Sequence, residues 1–134
     1  MTVVRVDSRA VASAEDVVLV RQLVREWSIA AGFSLVDQTK IVTAASELAR
    51  NMVQYGGGGI LRIEALSNGT RQGVRLAFED QGPGIADIEQ AMRDGFTSGG
   101  GLGLGLGGAK RLVNEFELQS RPGEGTRVTI TRWK

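Results

Sequence analysis

The apolar period of this chain changes at the glycine cluster of residues 56–59, between a helix pair and a strand pair. Before it, apolar residues recur at helical spacing; after it, they alternate. Ser13 opens the first helical stretch, with Glu15 and Asp16 behind it as first-turn acids. Val20, Leu23, Val24, Trp27 and Ala31 follow on one face, and Gly32 stops it. Ser34 caps a second helix whose stripe is Ile41, Ala44, Ala45, Leu48, Met52 and Tyr55. Beyond the glycines, Leu61, Ile63 and Ala65 alternate with Arg62, Glu64 and Leu66. The Asn68-Gly69 turn then leads to Val74, Leu76 and Phe78. Two antiparallel neighbours joined by a tight turn are expected there.

The flanks complete the pattern. Residues 2–6 predict a short strand, 87–93 a short helix, and 106–114 a helix ending near Phe116. Residues 117–120 and 127–132 predict two closing strands around Pro122 and Gly123. The order β-α-α-β-β-loop-α-β-β predicts an α+β fold. It is a two-layer sandwich with helices on one face of a mixed, mostly antiparallel sheet. At 134 residues, with no repeat or linker, one domain spanning 1–134 is expected. Val11 and Trp133 are expected to pack rather than to serve as contacts.

Composition removes several function classes. Sixteen Lys and Arg against 15 Asp and Glu leave a net charge of +1, too little field for a nucleic-acid binder. No apolar run approaches the length of a membrane span. Residues 1–7 lack the charged start and apolar stretch of a signal peptide, so the cytoplasm is the expected compartment. With Cys 0 and His 0, disulfides, thiolate nucleophiles, Cys-bound zinc and a Ser-His-Asp triad are out. Gly is the outlier, 19 residues or about 14% against a usual ~7%.

Three segments carry candidate chemistry. Thr43, Glu47 and Asn51 recur every four residues, so they share one face of the second helix. A carboxylate there can accept a proton, and an amide oxygen suits Mg²⁺. On its own, that pattern also describes a solvated helix face. Asp80-Gln81-Gly82-Pro83-Gly84-Ile85 follows a strand, and its glycines let backbone approach a flat ligand. An aspartate held there can accept a hydrogen bond from an exocyclic amine, though Asp, Gly and Pro also make plain turns. Residues 99–108 run glycine-rich into a helix, with Lys110 and Arg111 placed to meet phosphate oxygens. A flexible linker would not carry leucine at alternate positions. A Walker loop is excluded, because Gly108-Ala109-Lys110 stands where GK[ST] is needed. Gly103, Gly105 and Gly108 match GxGxxG, but no strand feeds that loop.

In this order the segments resemble the GHKL (Bergerat-fold) ATPase superfamily. Glu47-Leu-Ala-Arg-Asn51 resembles its N-box, and Asp80-Gln-Gly-Pro-Gly84 its first glycine box. Gly101-Leu-Gly-Leu-Gly105-Leu resembles the second box, and Gly123-Glu-Gly-Thr126 the final GxGT. Within the superfamily the chain resembles the anti-sigma-factor kinases, and most of all the stressosome switch kinases of the RsbT type. Ser-Glu-Leu-Ala-Arg-Asn and Asp-Gly-Phe-Thr-Ser-Gly-Gly-Gly-Leu-Gly carry that likeness.

The resemblance implies ATP and Mg²⁺ as cofactors and assigns roles. Glu47 orients or deprotonates the attacking hydroxyl, and Asn51 binds Mg²⁺. Asp80 takes the adenine amine, with Gly82, Gly84, Ile85 and Thr126 around the base. Gly101, Leu102, Gly103, Leu104 and Gly105 wrap the phosphates, with Lys110 beyond. It further implies a serine/threonine kinase acting on STAS-domain scaffold and antagonist proteins of a stressosome, and a switch toward a downstream phosphatase. An anti-sigma factor with kinase activity and a non-catalytic nucleotide-dependent adaptor are the alternatives. The segment between Ile85 and Gly99 is short for a lid, which implies an open phosphate end.

Overall fold

The computed structural model describes residues 1–92 and 105–134. The elements are β1 (Thr2–Val11), α1 (Ala14–Ala30), α2 (Leu35–Gln54), β2 (Gly59–Ser67), β3 (Gln72–Asp80), α3 (Ile88–Ala91), α4 (Leu106–Arg111), β4 (Glu115–Ser120) and β5 (Thr126–Trp133). The strands form one sheet in the order β1-β2-β3-β5-β4. The sheet expected as mixed and mostly antiparallel is antiparallel at each of its four pairings.

Local chemistry sets the helix ends. Ser13 Oγ accepts from the Asp16 amide, and Asp16 Oδ2 accepts in return from the Ala12 amide, 2.9 Å away. Ser34 Oγ accepts from the Asp37 amide at 3.1 Å. Gly32 follows the last turn of α1 at φ +81°, a backbone state that stops the helix. At the β2–β3 turn, Asn68 Oδ1 accepts from the Arg71 amide at 2.8 Å.

Several boundaries differ from the sequence expectation, each because pairing extends or truncates an element. β1 runs on from residue 6 to Val11, which pairs with Gly59. Phe116 is not a helix end: it sits in β4 opposite Ile130. Accordingly α4 stops at Arg111, and the Asn114 amide donates to Thr131 O instead of continuing the helix.

The core lies on one face of the sheet. Val17, Val20, Val24 and Trp27 of α1, and Ile41, Leu48 and Met52 of α2, pack against Leu61, Ile63, Leu76, Phe78 and Ile130. Ala44, Ala45 and Ala49 are fully buried, so α2 lies close to its neighbours. Val11 is fully buried, as expected. Leu66 is also fully buried, although alternation put it on the opposite face from Ile63. The register places Leu66, Gly73 and Trp133 in one row, and the Trp133 ring lies over Gly73. That end of the outer face is therefore apolar, and Trp133 Nε1 donates to Glu115 Oε2 at 2.7 Å.

The rest of the outer face is polar. Glu64 is 8% exposed there, with Arg75 Nε 2.7 Å from Oε1 and Arg62 Nη2 3.6 Å from Oε2. The Arg75 guanidinium holds the Glu64 carboxyl below its ordinary value of 4.5, against the opposing pull of burial. The pair's stabilisation is therefore complete above that ordinary value. It is lost as the pH falls below it, through the lower folded value. Glu64→Gln is expected to cost about 2 kcal/mol near neutral pH and progressively less as the pH falls below 4.5. Urea unfolding of both forms across that pH range measures the difference.

On the inner face, Arg132 ties three elements together. Its Nη2 donates to Asp37 Oδ1 at 2.7 Å and its Nη1 to Leu112 O at 2.9 Å. The start of α2 and the end of α4 are thereby fixed to β5.

Candidate nucleotide site

A cleft of about 320 Å³ opens between the C-terminal half of α2, the ends of β3 and β5, and the segment around α3. Leu48, Met52, Phe78, Leu106 and Val128 give it apolar walls. Of the residues singled out in the sequence, Asn51, Asp80, Gly84, Ile85 and Thr126 line it. Residues from three distant segments thus converge on one concavity, apolar with a few polar groups, the usual form of a small-molecule site.

Asp80 is the last residue of β3. Its Oδ1 accepts from the Gly82 amide at 2.9 Å, which makes the tight turn and fixes the carboxylate. Gly56, just past the end of α2, lies against the same carboxylate, leaving no room there for a side chain. Gly82 in turn packs on Gly56: a Cβ at Gly82 would lie 2.7 Å from Gly56 Cα. Gly82 therefore shapes the wall through its backbone and is not among the residues lining the cleft. Gly84 takes φ +75° against the backbone of Arg121, a place open only to glycine.

The Thr126 side is held by a residue that sequence inspection did not single out. Ser120 Oγ accepts from the Ile85 amide at 2.8 Å and donates to Gly125 O at 3.0 Å. Its single proton is then committed, so Thr126 Oγ1, 2.8 Å away, is the donor to Ser120. One hydroxyl thereby joins the Asp80–Ile85 loop to β5. Nothing in the spacing of Ser120 marks this role, because its partners meet only in the folded sheet. Tyr55 and Phe78 were read as stripe and strand residues, and both also wall the cleft.

Glu47 lies one turn before Asn51 on α2 and is half-buried. Arg50 Nη1 stands 2.8 Å from its Oε1. Its Oε2 faces Gly105, where a Cβ would come within 2.6 Å. Gly105 itself is the N-cap of α4, at φ +67°. Gly101, Leu102, Gly103 and Leu104, and residues 93–99 of the segment expected as a short lid, lie outside the described residues. Lys110 and Arg111 were expected in the first turns of their helix. α4 starts at Leu106 as expected and ends at Arg111, so both lie in its second and last turn, exposed, and neither is among the described residues that line the cleft. Thr43 is exposed and does not line the cleft. Among the described residues no helix is long and apolar enough to cross a membrane.

Residues 36–134 match the family model described as histidine kinase-, DNA gyrase B- and HSP90-like ATPase. The chain is 49% identical over 118 residues to the serine/threonine-protein kinase RsbT of Bacillus subtilis, covering 88% of this chain and 89% of that protein. It is 34% identical over 99 residues to the anti-sigma F factor of Thermoanaerobacter sp., covering 69% of this chain and 68% of that one. The crystal structure of the RsbU and RsbW domains of a Mycobacterium tuberculosis protein shares the fold, at a TM-score of 0.68 and 24% identity. That likeness covers 97% of this chain and about a third (33%) of the other. The chain belongs to the family of histidine kinase-, DNA gyrase B- and HSP90-like ATPases.

Proposed function

We propose that the 134 residues form one ATP-binding unit, and that this unit is a serine/threonine protein kinase acting on STAS-domain proteins of a stressosome. The observation that carries it is the convergence of Asn51, Asp80, Gly84, Ile85 and Thr126 on one cleft. The 49% identity to a serine/threonine-protein kinase gives the reaction class. The cleft, about 320 Å³ and lined by Phe78, Ile85 and Val128, has the volume of a small-molecule site, and Asp80 supplies the acceptor that an adenine amine needs.

The donor set fits Mg²⁺ held chiefly by a nucleotide. Asn51 offers a hard amide oxygen at the cleft wall, and among the described residues no cluster of three acidic side chains competes for the ion. Asn51 would hold the ion, which would supply charge neutralisation on the triphosphate. The chain's own residues do the rest. Asp80 and the two glycines orient the base, and Asn51 orients the phosphate end. Glu47 takes the proton of the incoming serine or threonine hydroxyl. That oxygen bonds to the γ-phosphorus as the bond to the β–γ bridging oxygen breaks, and ADP leaves. Positioning and charge neutralisation are what such a transfer chiefly needs.

On this reading the protein works in the cytoplasm, where ATP is at hand, and leaves its phosphorylated scaffold to engage a phosphatase. Incubation with [γ-³²P]ATP, Mg²⁺ and a STAS-domain protein of the same genome tests the kinase step. Label on a serine or threonine of that protein is the expected result. No label, or equal label with Asn51→Ala, would overturn it. The identity to an anti-sigma F factor supports a second reading, direct sequestration of a sigma subunit. Co-purification separates the two by what the tagged protein retains.

A further inference from the structure

We propose that Arg50 is a positioning residue of the phosphoryl transfer, holding one oxygen of Glu47 so that the other faces the end of the second glycine box. The inference rests on the kinase reading above. Its basis is the way the two carboxylate oxygens are divided. Oε1 is engaged by Arg50 Nη1 at 2.8 Å, and Oε2 is turned to Gly105. Arg50 Nη2 also reaches Ser46 Oγ at 3.4 Å, so the guanidinium is anchored back along α2.

Stability does not explain this pair. Arg50 and Glu47 are 42% and 35% exposed, and a solvent-screened helical pair at that exposure contributes little. Its geometric consequence is larger. A glutamate has three side-chain torsions, and an untethered one spends much of its time away from any single hydroxyl. A base must come within about 2.6–3.2 Å of the proton it removes. Tethering Oε1 leaves Oε2 as the atom for that task, beside Gly105. A planar fork anchored at two points suits this better than an ammonium on a flexible stem.

The test compares Arg50→Ala, Arg50→Gln and Glu47→Gln with the unaltered protein. The readouts are transfer from Mg-ATP to a STAS-domain protein of the same genome and calorimetric binding of a nonhydrolysable ATP analogue. Both Arg50 variants are expected to lose about 10- to 100-fold in kcat, with KM for ATP and analogue affinity unchanged. Millimolar guanidinium chloride, far below denaturing levels, is expected to restore part of that loss to Arg50→Ala and none to Glu47→Gln. Arg50→Gln keeps length and helix propensity, so it reports even if the alanine variant folds poorly. A kcat within twofold of the unaltered protein in Arg50→Gln, beside an inactive Glu47→Gln, overturns this proposal and leaves the kinase reading standing. A changed KM with kcat intact overturns it too, since Arg50 would then act in docking. Full activity in Glu47→Gln, or no transfer by the unaltered protein, overturns the reading beneath it.

Discussion

Asn51→Ala is expected to lower phosphoryl transfer by about 100-fold or more, since a metal held in place contributes several kcal/mol to such a transition state. The fold is expected to survive. Position 51 lies inside α2, where alanine is the better helix former, and the core stripe of Ile41, Ala44, Leu48 and Met52 is untouched. A thermal melt of the variant beside the unaltered protein measures what the fold itself loses. Loss of transfer at constant stability separates a ligand from a packing residue. Titration with Mg²⁺ at fixed ATP sharpens the result. The variant should need far more Mg²⁺ for half-maximal rate, and an unchanged requirement would place the ion elsewhere.

Asp80→Asn is expected to weaken nucleotide binding by about 10- to 100-fold, the worth of one charge-assisted hydrogen bond in a sheltered site. This substitution is the informative one because of what it keeps. The Gly82 amide donates to Oδ1, and an asparagine oxygen can accept the same bond, so the turn that places Pro83 and Gly84 is retained. Asp80→Ala would lose the turn and the acceptor together. Asparagine turns an amide donor toward the adenine amine where the carboxylate accepted. Calorimetry with a nonhydrolysable ATP analogue measures the loss. Inosine triphosphate carries a 6-oxo acceptor in place of the amine, so the variant, with an amide donor there, should bind it at least as well as the unaltered protein does. A variant that discriminates between the two bases as the unaltered protein does would remove Asp80 from recognition.

Much of the scaffold was legible because its signals are local. Ser13 and Ser34 bond their own helices' first turns, and Asn68 bonds its own turn, so each marks a boundary without help from distant residues. The change of period at residues 56–59 separates the helix pair from the hairpin for the same reason. What escaped was set by partners far along the chain. β1 reaches Val11 because β2 offers it a ladder, and Phe116 is a strand residue because Ile130 lies opposite. Glu64 looked like a solvent residue by alternation, yet Arg75 from the neighbouring strand covers it. At the site, motif residues that line the cleft were readable from the order of their boxes. Ser120 was not, since it acts by joining two backbone segments that only the finished sheet brings together.

The most direct measurement is a crystal structure of the protein with Mg²⁺ and a nonhydrolysable ATP analogue. The account predicts the purine in the cleft between Phe78, Ile85 and Val128, its amino group on Asp80, and the ion on the Asn51 side chain. A nucleotide bound elsewhere, or a cleft that stays shut while Asp80 remains turned only to Gly82, would contradict it.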